Sequence, residues 1–410
     1  MRYVIEGGSI ITPEDILRNK KIIINGDKIE DITDNVSGID FTIRLDDNTL
    51  VFPGLINAHD HLLGTYYPRI GFGPYLNWKP WDNDLKECPL YEERGLIQNI
   101  DLYLLGAYRN LVSGVHIVAD HIPHAVNEQF IDKMPISVLK KYGLQHECVS
   151  YDLRWGGPMS VEHKYAMDND VPFITHIEEG YDEEATKGIE ILEEMKVLDE
   201  YTVLVHGISL SKKDIAAIAK AKANLIWCPT SNFFMFHETT DIRELLKKGV
   251  NISLGTDSPM SGGMNILEEL QFASNLYHQI YGEKIDNKLL VRMVTENPAK
   301  ALRLHDRGKI ATGMKADFTI ILTSNPTDPY SALVNSWLEN IRLVIGDGVP
   351  LYGNPEDSYL FEKFGKAFQT MSIDGAERIL TGDPNGLYSR IWSALKFKKV
   401  LPFFPVDISK

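Results

Sequence analysis

Short apolar runs alternate with amphipathic stretches through the middle of this chain, and four of the runs end on side chains that can bind a metal ion. The run 49–58 ends at His59, Asp60 and His61. The runs 171–175, 202–205 and 251–256 end at His176, His206 and Asp257. Between the later runs the period changes to that of a helix. Ser211 opens a helix through Lys222, residues 224–229 read as the next strand, and 241–248 form a helix with Thr240 as N-cap and Gly249 just past its end. Strand, helix, strand, helix in this order implies parallel strands joined by right-handed crossovers. Reactive side chains gathered at strand C-termini then predict an α/β fold with a (β/α)8 TIM-like barrel.

One interval is too short for an ordinary barrel. From the run 115–120 to His176 there are 56 residues, with one clear strand at 145–151 where two are needed. The expectation is a distorted barrel with one βα unit missing or very short. The flanks carry different signals. Runs at 3–5, 9–11 and 21–24, the last followed by the hairpin pair Asn25-Gly26, are matched near the other end by runs at 308–310, 316–322 and 341–345. Neither flank can bury a core alone, so both are expected to pair into one small β-sandwich. The predicted division is a β-sandwich domain from 1–52 and 308–370, a barrel from 53–307 that carries the metal-competent side chains, and a C-terminal extension from 371–410. The extension carries Ile391, Trp392, Leu395, Phe397, Leu401, Phe403 and Phe404, so it should dock on the body.

Composition narrows the partners. A formal net charge of −15 excludes nucleic acid, whose binding depends on Lys and Arg neutralising phosphates, and an anionic membrane face. The three cysteines are scattered, giving neither a disulfide framework nor a Cys-x-x-Cys metal site. Glu6 interrupts the N-terminus before any signal-peptide core, and no run approaches the ~20 apolar residues that span a bilayer. A cytoplasmic protein acting on a small molecule is expected.

In an extended chain, side chains two apart share a face, so His59 and His61 can grip one ion from one side. Imidazoles with one carboxylate suit Zn²⁺ first and Fe²⁺ second. Such a site keeps a position open for water, whose pKa falls from about 15.7 to about 7 on binding. The resulting nucleophile needs a base and an acid. Asp257, able to touch both metal and water, is the candidate for the first proton. For the acid, Glu178 would point inward if the strand stays extended, and Glu179 if the chain turns after His176.

These segments resemble the amidohydrolase superfamily, in its branch of mononuclear deaminases and chlorohydrolases. The matching pieces are residues 53–61, His176-Ile177-Glu178-Glu179, Leu204-Val205-His206-Gly207, Trp227-Cys228-Pro229-Thr230-Ser231-Asn232, Leu254-Gly255-Thr256-Asp257-Ser258 and the segment 308–317. The likeness extends from about Met1 to Gly353. It implies that His59, His61, His176 and Asp257 hold one Zn²⁺ per subunit, with Fe²⁺ the alternative. It also implies that His206 polarises or orients substrate and attacking water, and that Glu179 rather than Glu178 passes a proton to a ring nitrogen. Two-metal relatives use a carboxylated lysine or an extra carboxylate as a bridge. No lysine ends a strand between His121 and Pro172, which favours one metal, with Glu147 as the remaining bridging candidate.

The implied activity is hydrolytic deamination of an amino-substituted nitrogen heterocycle through metal-bound hydroxide, with release of ammonia. The same machinery would serve dechlorination or dealkylamination of a triazine-like ring, or hydrolysis of a cyclic amide. A non-enzymatic assembly protein would be expected to have lost ligands, and here the set is complete. Similar proteins are homo-oligomers, so a dimer or tetramer is expected. Relatives acting on adenosine-like thioethers carry substrate residues on the third and fourth strands, the shortened region here, and those residues find no match.

Candidate substrate contacts lie around the predicted mouth. His121 follows the strand 115–120. Trp78 and Trp81 belong to a long aromatic loop, 66–81, which either covers a flat ring or packs on the barrel. Trp155 offers a further wall, and His237 lies on the loop after the strand 224–229.

Overall fold

The structure, a computed structural model, describes residues 1–401 and 404; Phe403 of the apolar tail lies outside the described residues. The centre of the molecule is α/β, with parallel strands in two sheets. One has the order Ser137–Val138, Val115–Asp120, Leu55–Asp60. The other runs Gly143–Glu147, Phe173–Ile177, Thr202–His206, Asn224–Trp227, Asn251–Leu254. A parallel bridge between Asp60 and Asp257 joins them on one side. Among the described residues no ladder joins Ser137–Val138 to Gly143–Glu147.

The short interval before His176 therefore contains two strands rather than the single one at 145–151. The first is reduced to two residues and no helix follows it before Gly143. Tyr142 fills this gap, donating its hydroxyl to the Ile122 carbonyl at 2.7 Å, while its own carbonyl lies 2.9 Å from His124 Nε2. The second strand ends at Glu147, four residues earlier than its apolar run suggests.

The run 49–58 is two strands. Thr49–Pro53 pairs antiparallel with Phe318–Leu322, whereas Leu55–Asp60 pairs parallel with Val115–Asp120. Gly54 is the joint, and a Cβ there would collide with the His116 ring. Thr49–Pro53 belongs to an eight-stranded sheet containing both chain ends, and a four-stranded sheet is built from residues 2–44. Tyr3, Ile5, Ile22 and Ile24 of the smaller sheet share one apolar cluster with Val51, Phe318, Ile320, Leu343 and Ile345 of the larger.

Other boundaries shift for local reasons. The strand after Asn224 stops at Trp227 because Pro229 opens the helix Pro229–Phe236. Asp241, not Thr240, caps Ile242–Lys247, its carboxylate accepting from Glu244 N at 3.1 Å. Residues 308–310 form no strand. The boundary drawn at residue 370 falls inside the strand Phe368–Ile373, which pairs with Ala376–Thr381 and through it with the larger sheet. Beyond it, the helix Pro384–Leu395 docks on Asn99–Val112, with Ile391, Leu395, Leu401 and Phe404 buried and Arg390 Nε 2.8 Å from Asp101. Trp392 is half-buried and Phe397 exposed. No helix among the described residues is long and apolar enough to cross a membrane.

Candidate active site

His59, His61, His176, His206 and Asp257 converge at one end of the parallel sheets. The His59 ring centroid lies 4.9, 5.0 and 5.7 Å from those of His61, His176 and His206. The backbone laces the first and last motifs together, with His61 N donating to Asp257 O at 2.9 Å and Asp257 N to His59 O at 3.1 Å. Asp60 turns away from the rings into a buried ion pair with Arg109, assisted by Asn57 and Asn110. Its charge is thereby spent on holding the two flanking histidines in place, not on an ion.

Three residues here adopt left-handed backbone: Glu178 at φ 48°, His206 at φ 73° and Asp257 at φ 58°. For residues other than glycine this costs on the order of 1–3 kcal/mol and gathers at functional sites. At Glu178 it decides the question left open by spacing. The turn ends the strand's alternation, so Glu179 comes back to the cavity while Glu178 is directed behind it, accepting from Ile189 N at 3.2 Å.

Two of these rings, His61 and His176, are oriented by backbone carbonyls behind them. His61 Nδ1 lies 3.0 Å from the His121 carbonyl and His176 Nδ1 2.9 Å from the His146 carbonyl, which places the protons on Nδ1 and leaves Nε2 as the free donor atom. His176 Nε2 is 3.3 Å from His59 Nε2. Asp257 Oδ1 lies 3.7 Å from His59 Nε2 and 3.3 Å from His61 Nε2. Its Oδ2 accepts from Ser231 Oγ at 2.7 Å and Ser261 Oγ at 2.6 Å. Burial and then the neighbouring rings push the pKa values of His59 and His176 well down, which keeps them neutral. Buried neutral imidazoles with aligned Nε2 atoms beside one carboxylate oxygen fit a divalent cation. His59 belongs to two groups of close ligand atoms, one with His61 and Asp257, the other with His121 and His176.

His206 is oriented from behind by Asn232. Its Nδ1 is 2.9 Å from Asn232 Oδ1, and Asn232 Nδ2 in turn donates to Thr239 Oγ1 at 3.2 Å. Burial lowers the His206 pKa, so the ring is neutral with its Nε2 lone pair facing Glu179 Oε1 at 3.8 Å. Glu179 is held well above the usual carboxylate range by burial, then by the charges of Asp257 and Glu147.

Burial also pushes Glu178 up from 4.5 to about 8. Its folded pKa is raised, so the folded protein holds the proton more tightly, and stability falls as pH rises between those two values. Glu178→Gln removes this slope. In thermal melts the variant is expected to gain on wild type progressively across that window, and parallel curves would contradict the assignment.

A cavity of about 320 Å³ opens over the cluster, lined by His61, His176, Glu179, His206 and Asp257. Trp78, Trp81 and Trp155 line it as expected, with Tyr67, Leu85 and Met260. Trp78 and Trp81 are not on a loop: they sit in the helix Trp78–Glu87, capped by Asn77. Trp78 Nε1 donates to Glu147 at 2.6 Å, so Glu147, pushed up to about 7 by burial, serves to fix this ring. Two expected substrate contacts are elsewhere. His121 is 2% exposed and does not line the cavity. His237 ends the helix Pro229–Phe236 and borders a different hollow with Arg69, Phe72 and Phe272. His146 was not singled out by spacing, yet it lines the cavity between Trp78 and Trp155, at 4.9 and 4.7 Å between centroids. The signal was its place next to the last residue of a strand, hidden by setting that strand too far along.

Comparison with known proteins agrees with this geometry. Residues 159–351 match the amidohydrolase family. A 5-methylthioadenosine/S-adenosylhomocysteine deaminase of Dictyoglomus turgidum is 25% identical over 90% of this chain and 99% of its own. A 5'-deoxyadenosine deaminase of Methanothrix thermoacetophila is 28% identical over 84% of this chain and 94% of its own. Among solved structures, an atrazine chlorohydrolase from Arthrobacter aurescens TC1 in complex with zinc superposes with a TM-score of 0.72 at 19% identity, over 85% of this chain and 95% of that one. The chain is thus similar to amidohydrolase proteins in sequence over residues 159–351, and to the named deaminases along most of its length.

Proposed function

We propose that this protein is a metal-dependent aminohydrolase that removes the amino group from a nitrogen heterocycle and releases ammonia, acting on a C–N bond other than a peptide bond. The observation that carries the reading is the pairing of two carboxyl groups with opposite environments over one histidine cluster. Glu179 is buried and held protonated, whereas Asp257 is fixed by two serine hydroxyls with one oxygen free. Such a pair supplies an acid and a base to one face of a bound ring. The substrate we infer is an adenine-type ring carried by a nucleoside. The names of two relatives aligned over most of the chain support this, as do a cavity of about 320 Å³ and its tryptophan walls.

His59, His61, His176 and Asp257 would hold one divalent ion, zinc in preference to iron. The ion would supply Lewis acidity and an activated water at neutral pH. The residues around it carry the rest. His206, neutral and fixed by Asn232, orients the attacking water through its Nε2 lone pair. Asp257 Oδ1 takes the water's proton and passes it to the departing amine. Glu179 protonates the ring nitrogen, drawing electrons away from the carbon under attack. Trp78, Trp155 and His146 confine the ring and exclude bulk water.

The architecture proposed with this chemistry is one eight-stranded barrel spanning residues 53–307, left open beside Ser137–Val138. A β-sandwich from residues 1–52 and 308–370 flanks it, extended by the strands of the C-terminal segment.

The test is ammonia release from a panel of adenine nucleosides, guanine, cytosine, pterins and amino- or chlorotriazines, with metal content measured alongside. Release from an adenine nucleoside is expected, with metal and activity both lost in His61→Ala. Chloride or ring-opened product without ammonia would overturn the reaction class.

A further inference from the structure

Beside the histidine cluster lies one more histidine, which the preceding chemistry does not use. His121 follows directly on Val115–Asp120 and is 2% exposed. Among the described buried histidines it is the one whose two ring nitrogens both lack a hydrogen-bond partner. A backbone group of Gln145 approaches the ring without forming a well-made bond. Leaving buried polar groups unmet is costly, so their position needs a physical reason. The ring is aimed at the metal cluster, with its centroid 4.4 Å from that of His176 and 5.3 Å from that of His59. One nitrogen each of His59, His121 and His176 fall within 4.8 Å of one another.

We propose that His121 is a direct ligand of the ion, joining His59 and His176 on the inner side while His61 and Asp257 complete the set on the cavity side. The inference rests on the metal site assigned above and adds to it a donor that the His-x-His motif does not announce. It also argues for one ion. His59 Nε2 faces both His176 and Asp257, and a single nitrogen lone pair cannot serve two cations. His121 has a second task through its backbone, because its carbonyl holds His61 Nδ1 at 3.0 Å. A side-chain substitution that leaves the backbone in place therefore removes the new ligand and keeps the old one oriented.

The experiment uses the full chain, stripped with a chelator and titrated with Zn²⁺ and, for spectroscopy, Co²⁺. Wild type is expected to take up one ion per chain. In His121→Phe, Zn²⁺ affinity should fall at least about 100-fold, beyond what loss of an outer-sphere partner usually costs. The Co²⁺ visible spectrum should change, and the rise in Tm on metal addition should shrink while the Tm of the stripped protein stays close to wild type. His121→Asn, smaller and still polar, serves if the phenylalanine variant fails to fold. Equal affinity and an unchanged spectrum in the variants would overturn the ligand assignment alone. Two ions per chain would overturn the shared-ion arrangement. A wild-type protein that binds no ion would overturn the metal-site reading itself.

Discussion

Glu179→Gln is expected to lower the rate of ammonia release by about 10³-fold, within the range that a positioned general acid supplies, with metal content and fold unchanged. Glutamine matches the carboxyl in shape and can still donate a hydrogen bond, but it has no acidic proton to give the ring. The pH dependence separates this from a steric effect. Burial, then the charges of Asp257 and Glu147, hold the Glu179 carboxyl protonated well past the usual carboxylate range. If its acid form is the working one, the wild-type rate is highest below that raised value and falls as pH climbs through it. The variant loses this alkaline limb along with its activity. A Gln variant at full rate, or one that keeps the wild-type alkaline limb, would remove Glu179 from the mechanism.

What the sequence announces most clearly is the candidate metal-binding cluster, for a physical reason. Side chains at strand ends follow a short period, and the same parallel crossovers that set the order of strands carry these side chains to one end. His59, His61, His176, His206 and Asp257 are therefore all at the same mouth. The Glu178 and Glu179 alternatives could not be separated by spacing alone. The answer depends on one backbone angle at Glu178, φ 48°, set by how the chain leaves the strand.

Features that rest on long-range contact were less legible. The run 49–58 is uniformly apolar because both of its halves are buried, one in each sheet system, and hydropathy does not register the change of partner at Gly54. The strand Ser137–Val138 is too short to leave a periodic signal. His121 was expected at the substrate face because it follows a strand. In the structure it is buried beside His59 and His176 and does not line the cavity. The aromatic segment ends in a helix whose tryptophans both line the cavity. Trp81 Nε1 donates to Ile70 O at 3.0 Å, packing the segment onto itself, while the same ring and that of Trp78 form the cavity wall.

Asp257→Asn is the second substitution with a large expected effect, and it tests whether one carboxylate both holds the ion and moves the proton. Ser231 and Ser261 occupy Oδ2 and would still hydrogen-bond an amide oxygen, so the side chain should keep its place. The oxygen facing His59 and His61 would then be replaced by an NH₂ group, which neither binds a cation nor accepts a proton. Ammonia release is expected to fall by about 10³-fold or more, in line with the loss of a general base. Metal analysis divides the cause. If the ion is lost, with its binding-linked rise in Tm, Asp257 is required as a ligand. If the ion is retained by the imidazoles while turnover collapses, the proton transfer is what the carboxylate supplied. Ser231→Ala provides the graded control, because it leaves the carboxylate charged and Oδ2 held by Ser261 alone. Its loss should be about tenfold, as expected for one hydrogen bond to a charged group of roughly 1.5 kcal/mol, and should fall on kcat rather than KM. An Asn variant that keeps both metal and wild-type turnover would leave the site without its base, and the proposed direction of proton flow would fail with it.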